Sequence, residues 1–199
     1  LSEEAQPRNR LQLAKWLVNG NNPLVSRVVV NRFWQGYFGN GLVRTPDDFG
    51  AQGALPSHPE LLDWLAQELI NREWSIKAIQ RLIVTSATYR QASTHSDAAA
   101  KIDPRNELLW RFPPRRLEAE AIRDSMLATS GLLDETPFGP GTLAPEMPRR
   151  SIYYFVKRSQ IVPLMLLFDF PEPLVSIGQR ASTNIAPQGL TLMNSPIVR

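Results

Sequence analysis

Apolar residues recur at three- and four-residue steps through most of the first half of this chain. Leu11, Leu13, Ala14, Trp16, Leu17 and Val18 crowd one helical face, which Asn19-Gly20 brings to an end. Residues 24–38 pull two ways. Val28-Val29-Val30 favours a strand by propensity. Against this, Asn22-Pro23 supplies an N-cap and a first helical residue, Val25, Val29, Arg32 or Phe33, and Gly36 keep helical spacing, and Gly39 can close the end. The pattern predicts a helix. After the loop 39–56, Ser57-His58-Pro59-Glu60 reads as a capping box. It opens the clearest amphipathic helix, carrying Leu61, Leu62, Leu65, Leu69 and Ile70. Ser75 then caps a second helix with Ile76, Ile79, Leu82, Ile83 and Ala87, running to about Tyr89 and antiparallel to the one before.

The second half is patterned less regularly. Residues 91–103 are polar and read as surface loop, and Asp103-Pro104 as one helical turn carrying Leu108, Leu109 and Trp110. Arg115 to Ser130 reads as a helix with Leu117, Ala121, Ile122, Met126 and Ala128 inward and Gly131 as its cap. Ser151 to Val156 has the aromatic and β-branched residues of a strand. Leu164–Phe168 and Pro187–Met193 suit short helices. The predicted fold is mainly α, an irregular helical domain with long Pro/Gly-rich loops and at most one short β element. A single domain is expected over 1–199: an extended arm at 1–9, a helical core at 10–131, and an irregular second half at 132–199 packed on that core.

Composition narrows the classes. With no cysteine among 199 residues, disulfides, thiolate nucleophiles, Cys-ligated zinc and CxxCH haem attachment are excluded for this sequence. The longest apolar runs, Val28–Val30 and Leu164–Phe168, fall far short of the roughly 20 residues of a membrane-spanning helix. Net charge is +3, and neither half is a polyelectrolyte, so nucleic acid is not an expected partner. The 17 prolines cluster in 104–114, 137–148 and 163–173, which implies much irregular chain there. Arginine is strongly preferred over lysine. That suits fixed pairs with carboxylates, or equally reflects the coding of a GC-rich genome.

Candidate chemistry is sparse. His58 and His95 belong to no metal-ligand pattern, and neither GxSxG nor GxxxxGK[ST] occurs. No metal and no cofactor is expected in this chain. The best acid–base cluster is Asp47, Asp48 and His58, with Arg44 beside them, since adjacent buried carboxylates can push one pKa upward. Thr45-Pro46-Asp47-Asp48 also reads as a turn with Asp side chains on nearby N–H groups, and without burial the turn takes precedence. Two polar stripes look structural. Arg27, Asn31 and Gln35 step along the 24–38 helix. Arg116, Glu120 and Asp124 step along the later one, where the like charges of Glu120 and Asp124 require a cation from another element, such as Arg111 or Arg150. A tether is the first reading of this second stripe and a catalytic site the second. Trp34, Tyr37 and Trp74 could form a carbohydrate platform or be buried in the core.

Six stretches occur together and in order: NPLVSRVVVNRFWQGYFGNGLVRTPDDFG, LPSHPELLDWLAQELI, WSIKAIQRLIVTSATYRQ, LLWRFPPRRLEAEAIRDSML, RRSIYYFVKRSQ and APQGLTLMNSPIVR. From about Arg8 to Arg199 the chain resembles the C-terminal domain of unknown function (DUF1553 type) of large planctomycete-type proteins that often carry a cytochrome-c-like domain. Members of that family continue beyond NSPIVR, so a C-terminal truncation is expected. The resemblance implies an exported bacterial multidomain parent and a periplasmic or extracellular location. It carries no catalytic residue to transfer. Together with the missing motifs it favours a non-catalytic scaffold or interaction domain whose partner is the upstream domain of the same parent. The alternative is a glycan-active hydrolase or carbohydrate-binding domain, with polysaccharide as partner.

Overall fold

The computed structural model describes residues 8–20, 22–195 and 198. Among them there are helices and isolated bridges but no strand. The expected arm at 1–9 lies outside the described residues except for Arg8 and Asn9. The chain divides into two compact units, Leu1–Arg115 and Arg116–Arg199.

In the first unit, α1 (Arg10–Val18) starts where Asn9 Oδ1 accepts from Gln12 N at 2.9 Å. Its apolar face is not buried within the unit, and Leu11 is 64% exposed. α2 spans Val25–Phe38. Helical periodicity wins over the strand propensity of the three valines because the helix buries Val30, Trp34 and Phe38 together. Asn22 does mark the start, its Oδ1 accepting from the N–H groups of Leu24 and Val25 at 3.0 and 3.2 Å. The first helical residue is nevertheless Val25 rather than Pro23. Gly39, at φ 85°, ends the helix by donating its N–H to Gln35 O, a conformation that suits glycine.

α3 (Pro59–Asn71) and α4 (Ile76–Thr85) complete the core. Leu62, Leu65 and Leu69 from α3 and Ile79 and Ile83 from α4 meet Val30, Trp34 and Phe38. Full burial of each such side chain contributes about 1.5–3 kcal/mol. The expected Ser57/Glu60 capping box does not form: His58 is the N-cap, with no side-chain cap, and Ser57 Oγ sits 3.0 Å from His58 Nδ1. The helix expected to reach Tyr89 breaks at Ser86. Its hydroxyl donates to Ile83 O and accepts from Tyr89 N, so it starts the separate turn α5 (Ala87–Arg90). That turn aims Tyr89 edge-on at Phe38 and Phe112, with ring centroids 6.0 and 5.4 Å away.

Two further expectations are corrected in this unit. The loop 91–103 contains α6 (Asp97–Ile102), capped by Ser96. Residues 103–110 form no helix. Asp103 instead spends its carboxylate on the N–H groups of Glu107 and Leu108, which folds the segment into turns.

The second unit is built around α7 (Ala119–Thr129). Ala119, Arg123 and Leu127 are its buried positions, whereas Leu117 and Ala128, expected inward, are exposed. The helix begins four residues later than expected, so Arg116 is not on it. Gly131, at φ 73°, follows the helix, and Leu132 N donates to Leu127 O across it. The sequence grouped α7 with the helical core, but it packs against a 3₁₀ turn (Ser151–Tyr153) and α8 (Pro163–Leu167) and falls in the second unit. The strand expected over 151–156 is that 3₁₀ turn followed by one bridge, Tyr154 to Thr142. The chain there is fixed by side chains from α7, which leaves its ladder groups without a neighbouring strand. A small core joins Ala119, Val162, Leu164, Met165 and Phe168. α9 (Ala186–Asn194) is anchored by buried Gln188, whose Nε2 donates to Leu167 O at 2.9 Å.

Candidate functional site

A cleft of the second unit encloses about 490 Å³ and brings charged residues of α7 beside apolar chain from 152–173. One buried arginine fixes two of the cleft's lining residues, Ser151 and Tyr154. Arg123 is 2% exposed and donates to the carbonyls of Met147 and Arg149 and to Ser151 Oγ. Its guanidinium also lies 4.7 Å from the Tyr154 ring centroid. Three acceptors on one planar fork hold an otherwise irregular segment in one place. Tyr154 in turn donates its hydroxyl to Pro145 O, and burial, partly opposed by Arg123, raises the phenol above its ordinary pKa.

Next to Arg123, Asp124 Oδ1 accepts from Ser151 N at 2.7 Å, and its Oδ2 lies 3.5 Å from Arg150 Nε. One turn earlier, both oxygens of Glu120 accept from Arg180 Nη1, at 2.9 and 2.7 Å. Glu118 lies 3.2 Å from the same nitrogen. Burial opposes the charge on Arg180, but the hydrogen bonds and charge of Glu120, then Glu118, outweigh it and raise its pKa. Arg180 also rests over Phe170. The like charges along α7 are therefore each met by an arginine from another element.

The expected site residues fall in several places. Glu120, Asp124 and Arg150 line this one cleft. Arg116 lies before α7, donates to Gln188 Oε1 and sits over Phe168, so it is not part of the stripe on that helix. Arg111, proposed as the cation, belongs to the first unit and rests on Trp110. In that unit Asn31 is wholly buried and exchanges two hydrogen bonds with the backbone of Val43. This contact needs Gly41, because a Cβ there would stand 2.6 Å from the Asn31 amide. Arg27 pairs with Asp63, an acid of another helix. The pair lies on the solvent side, not in a buried network.

The acid–base cluster resolves into a turn. Asp47 is exposed and faces Arg32 at 3.3 Å, Asp48 accepts from Gly50 N, and Thr45 Oγ1 closes the loop by donating to Asp48 O. The His58 ring bonds its neighbour Ser57. Trp34 is buried, and Tyr37 and Trp74 pack against the core, so these aromatics form no exposed platform.

Arg123 and Arg180 were not singled out from the sequence. Arg123 had a usable signal: it falls midway between Ala119 and Leu127 on one helical face. Arg180 had none, being sixty residues from its partner in a Pro/Gly-rich stretch.

Chemically, the carboxylates of the cleft are engaged as acceptors. Its mouth is apolar: Ile152 is 74%, Phe155 58% and Val156 64% exposed. Among the described residues, no three His, Asp or Glu side chains gather as they must to hold a metal ion, and no helix is long and apolar enough to cross a membrane. No curated protein and no solved structure matches this chain. A family model described as "PSD1: Protein of unknown function (DUF1553)" matches residues 9–199, and the chain belongs to that family.

Proposed function

We propose that this chain is a non-catalytic interaction domain of an exported multidomain protein, and that the second unit's cleft receives an apolar segment from an upstream domain of the same protein. The observation that carries this reading is the pairing inside the cleft. Glu118, Glu120 and Asp124 are balanced by Arg180, Arg150 and Lys157, and most of the remaining lining, Ser151 and Gln160 aside, is apolar. A neutral apolar occupant loses little on entering and covers Ile152, Phe155 and Val156, gaining about 25 cal/mol per Å² of apolar surface removed from water. A segment of the same polypeptide suits this cleft because its high effective concentration compensates for a small contact area.

A glycan hydrolase would need one carboxyl group free to give or take a proton at the reacting oxygen. Both oxygens of Glu120 are occupied by Arg180, Asp124 is held by Ser151 N and Arg150, and Glu118 pairs with the same Arg180 nitrogen as Glu120.

The test is a photo-crosslinking residue at position 155 of the full-length parent protein. Intramolecular cross-links to residues upstream of this domain are expected. Cross-links confined to the domain itself, or only to a second copy, would refute the reading.

A further inference from the structure

A second cavity, of about 190 Å³, lies wholly in the first unit between loop 40–44 and loop 104–114, over Trp34 and Phe38. Arg44, Arg105 and Arg111 line it, against one acid, Glu107. Glu107 is already paired, 3.4 Å from Arg44. Arg105 and Arg111 thus face the cavity with no acid of its lining left for them. The Arg111 Nε is buried and has no hydrogen-bond partner, while its guanidinium is steadied on the Trp110 ring at 4.9 Å. A buried donor left unpaired costs on the order of 1–3 kcal/mol, which an incoming acceptor would recover.

The arginines are presented by a loop that is fixed several times over. Asp103 accepts from Glu107 N and Leu108 N at 2.9 and 2.8 Å, and Trp110 Nε1 donates to Asp103 O. Hydrogen bonds from Leu108 N first, then from Glu107 N and Arg105 N, and the charge of Arg44 outweigh the effect of burial and hold the Asp103 carboxyl below the ordinary range. The Asn106 side chain bonds both N and O of Arg111 at 3.2 and 2.9 Å. Asn106 and Leu109 both take φ 53°, a left-handed conformation that costs a leucine energy and persists only where its surroundings impose it. Two guanidinium forks on one fixed loop can each donate in pairs to an oxyanion. The volume is below the roughly 300–1,000 Å³ of pockets that enclose a whole ligand, so a group enters rather than a molecule.

We propose that this cavity binds the oxyanion group (carboxylate, phosphate or sulfate) of a larger polar ligand, with Arg105 and Arg111 as the binding residues and Glu107 holding Arg44 beside them. The site is independent of the cleft in the second unit.

The experiment follows the arginine Nε–H resonances by ¹H–¹⁵N NMR during titration with sodium phosphate, sulfate and acetate at constant ionic strength, for the natural chain, Arg105→Gln and Arg111→Gln. A saturable shift of the Arg111 Nε–H is expected, with affinity at least tenfold weaker in Arg105→Gln, whose exposed side chain can be replaced without disturbing the core. In Arg111→Gln the Arg105 Nε–H should lose its saturable response. Saturation by phosphate and sulfate alone assigns a tetrahedral oxyanion, and saturation by acetate alone assigns a carboxylate. No saturable shift with any anion overturns the proposal. So does an affinity unchanged in Arg105→Gln, which marks an adventitious ion only.

Discussion

The two units hold themselves together by different means. The first is a helical core in which α2, α3 and α4 bury Val30, Trp34, Leu65, Leu69 and Ile83 against one another. The second has few regular backbone partners, and its loops are fastened by arginine and glutamine side chains reaching carbonyls: Arg123 to Met147 and Arg149, Arg149 to Phe138 and Thr136, Gln188 to Leu167. A helix satisfies its own backbone groups, so its packing face can be wholly apolar. A proline-rich loop cannot, and its carbonyls must find donors elsewhere or remain in water. Arginine supplies several donors per side chain in fixed geometry. In the second unit, therefore, polar side chains carry the role that leucines carry in the first.

This contrast can be broken most directly at Arg123. Arg123→Met keeps much of the volume but leaves the carbonyls of Met147 and Arg149 without their donor. A buried hydrogen-bonding group left unpaired costs on the order of 1–3 kcal/mol, and here two carbonyls lose their donor. Hydrogen exchange should accelerate most over 145–158, and native protection there in the variant would show that the loops do not depend on this fork. The corresponding change in the first unit is Leu69→Ala at a fully buried position. It should cost about 3 kcal/mol through lost burial and a residual cavity, seen as lost protection in α3 and α4. A loss below 1 kcal/mol in the denaturant midpoint would mean that this core collapses freely around the gap.

Glu120→Gln is a smaller test. Glu120 is 27% and Arg180 36% exposed, so the pair lies between a deeply buried bridge and a surface one, and solvent screening limits the loss to about 1 kcal/mol. Exchange should rise around 178–183. An unchanged midpoint and unchanged exchange would make the pair incidental. The least effect belongs to Arg27 and Asp63. The hydrogen bond from Arg27, and then its charge, outweigh burial and lower the Asp63 pKa. A carboxylate with a depressed folded pKa contributes stability above its unfolded value, near 3.9, and loses it as pH falls through the folded value. Arg27→Gln should therefore flatten the acid side of the stability curve below about pH 4, by roughly 0–1 kcal/mol for so exposed a pair. A curve of unchanged slope would show no contribution.

Sequence patterning read the first unit better than the second. The spacing of Leu62, Leu65 and Leu69 and of Ile79 and Ile83 placed α3 and α4, because a buried helical face must repeat every three or four residues. Asn22 and Gly39 bounded α2 by local chemistry, a side-chain oxygen for free N–H groups and a positive φ. Ser86 and Ser96 are equally local signals, but each lies inside a stretch whose wider pattern reads as continuous helix or as loop. On α7 the buried face departs from the apolar pattern because a charged residue, Arg123, lies on it between Ala119 and Leu127.

By itself, then, the chain determined its mainly helical class, its principal helix-bearing segments and the absence of cysteine chemistry, all properties of neighbours in sequence. Tertiary structure alone decided that Ser151–Val156 is not a strand, that Arg180 answers Glu120, and that Arg105 and Arg111 share a cavity with Arg44. A strand is defined by its partner strand, and an ion pair by two groups whose separation along the chain leaves no periodic trace. Where a fold is fastened by single long-range hydrogen bonds rather than by repeating apolar faces, each fastening is one event with no pattern for the sequence to display.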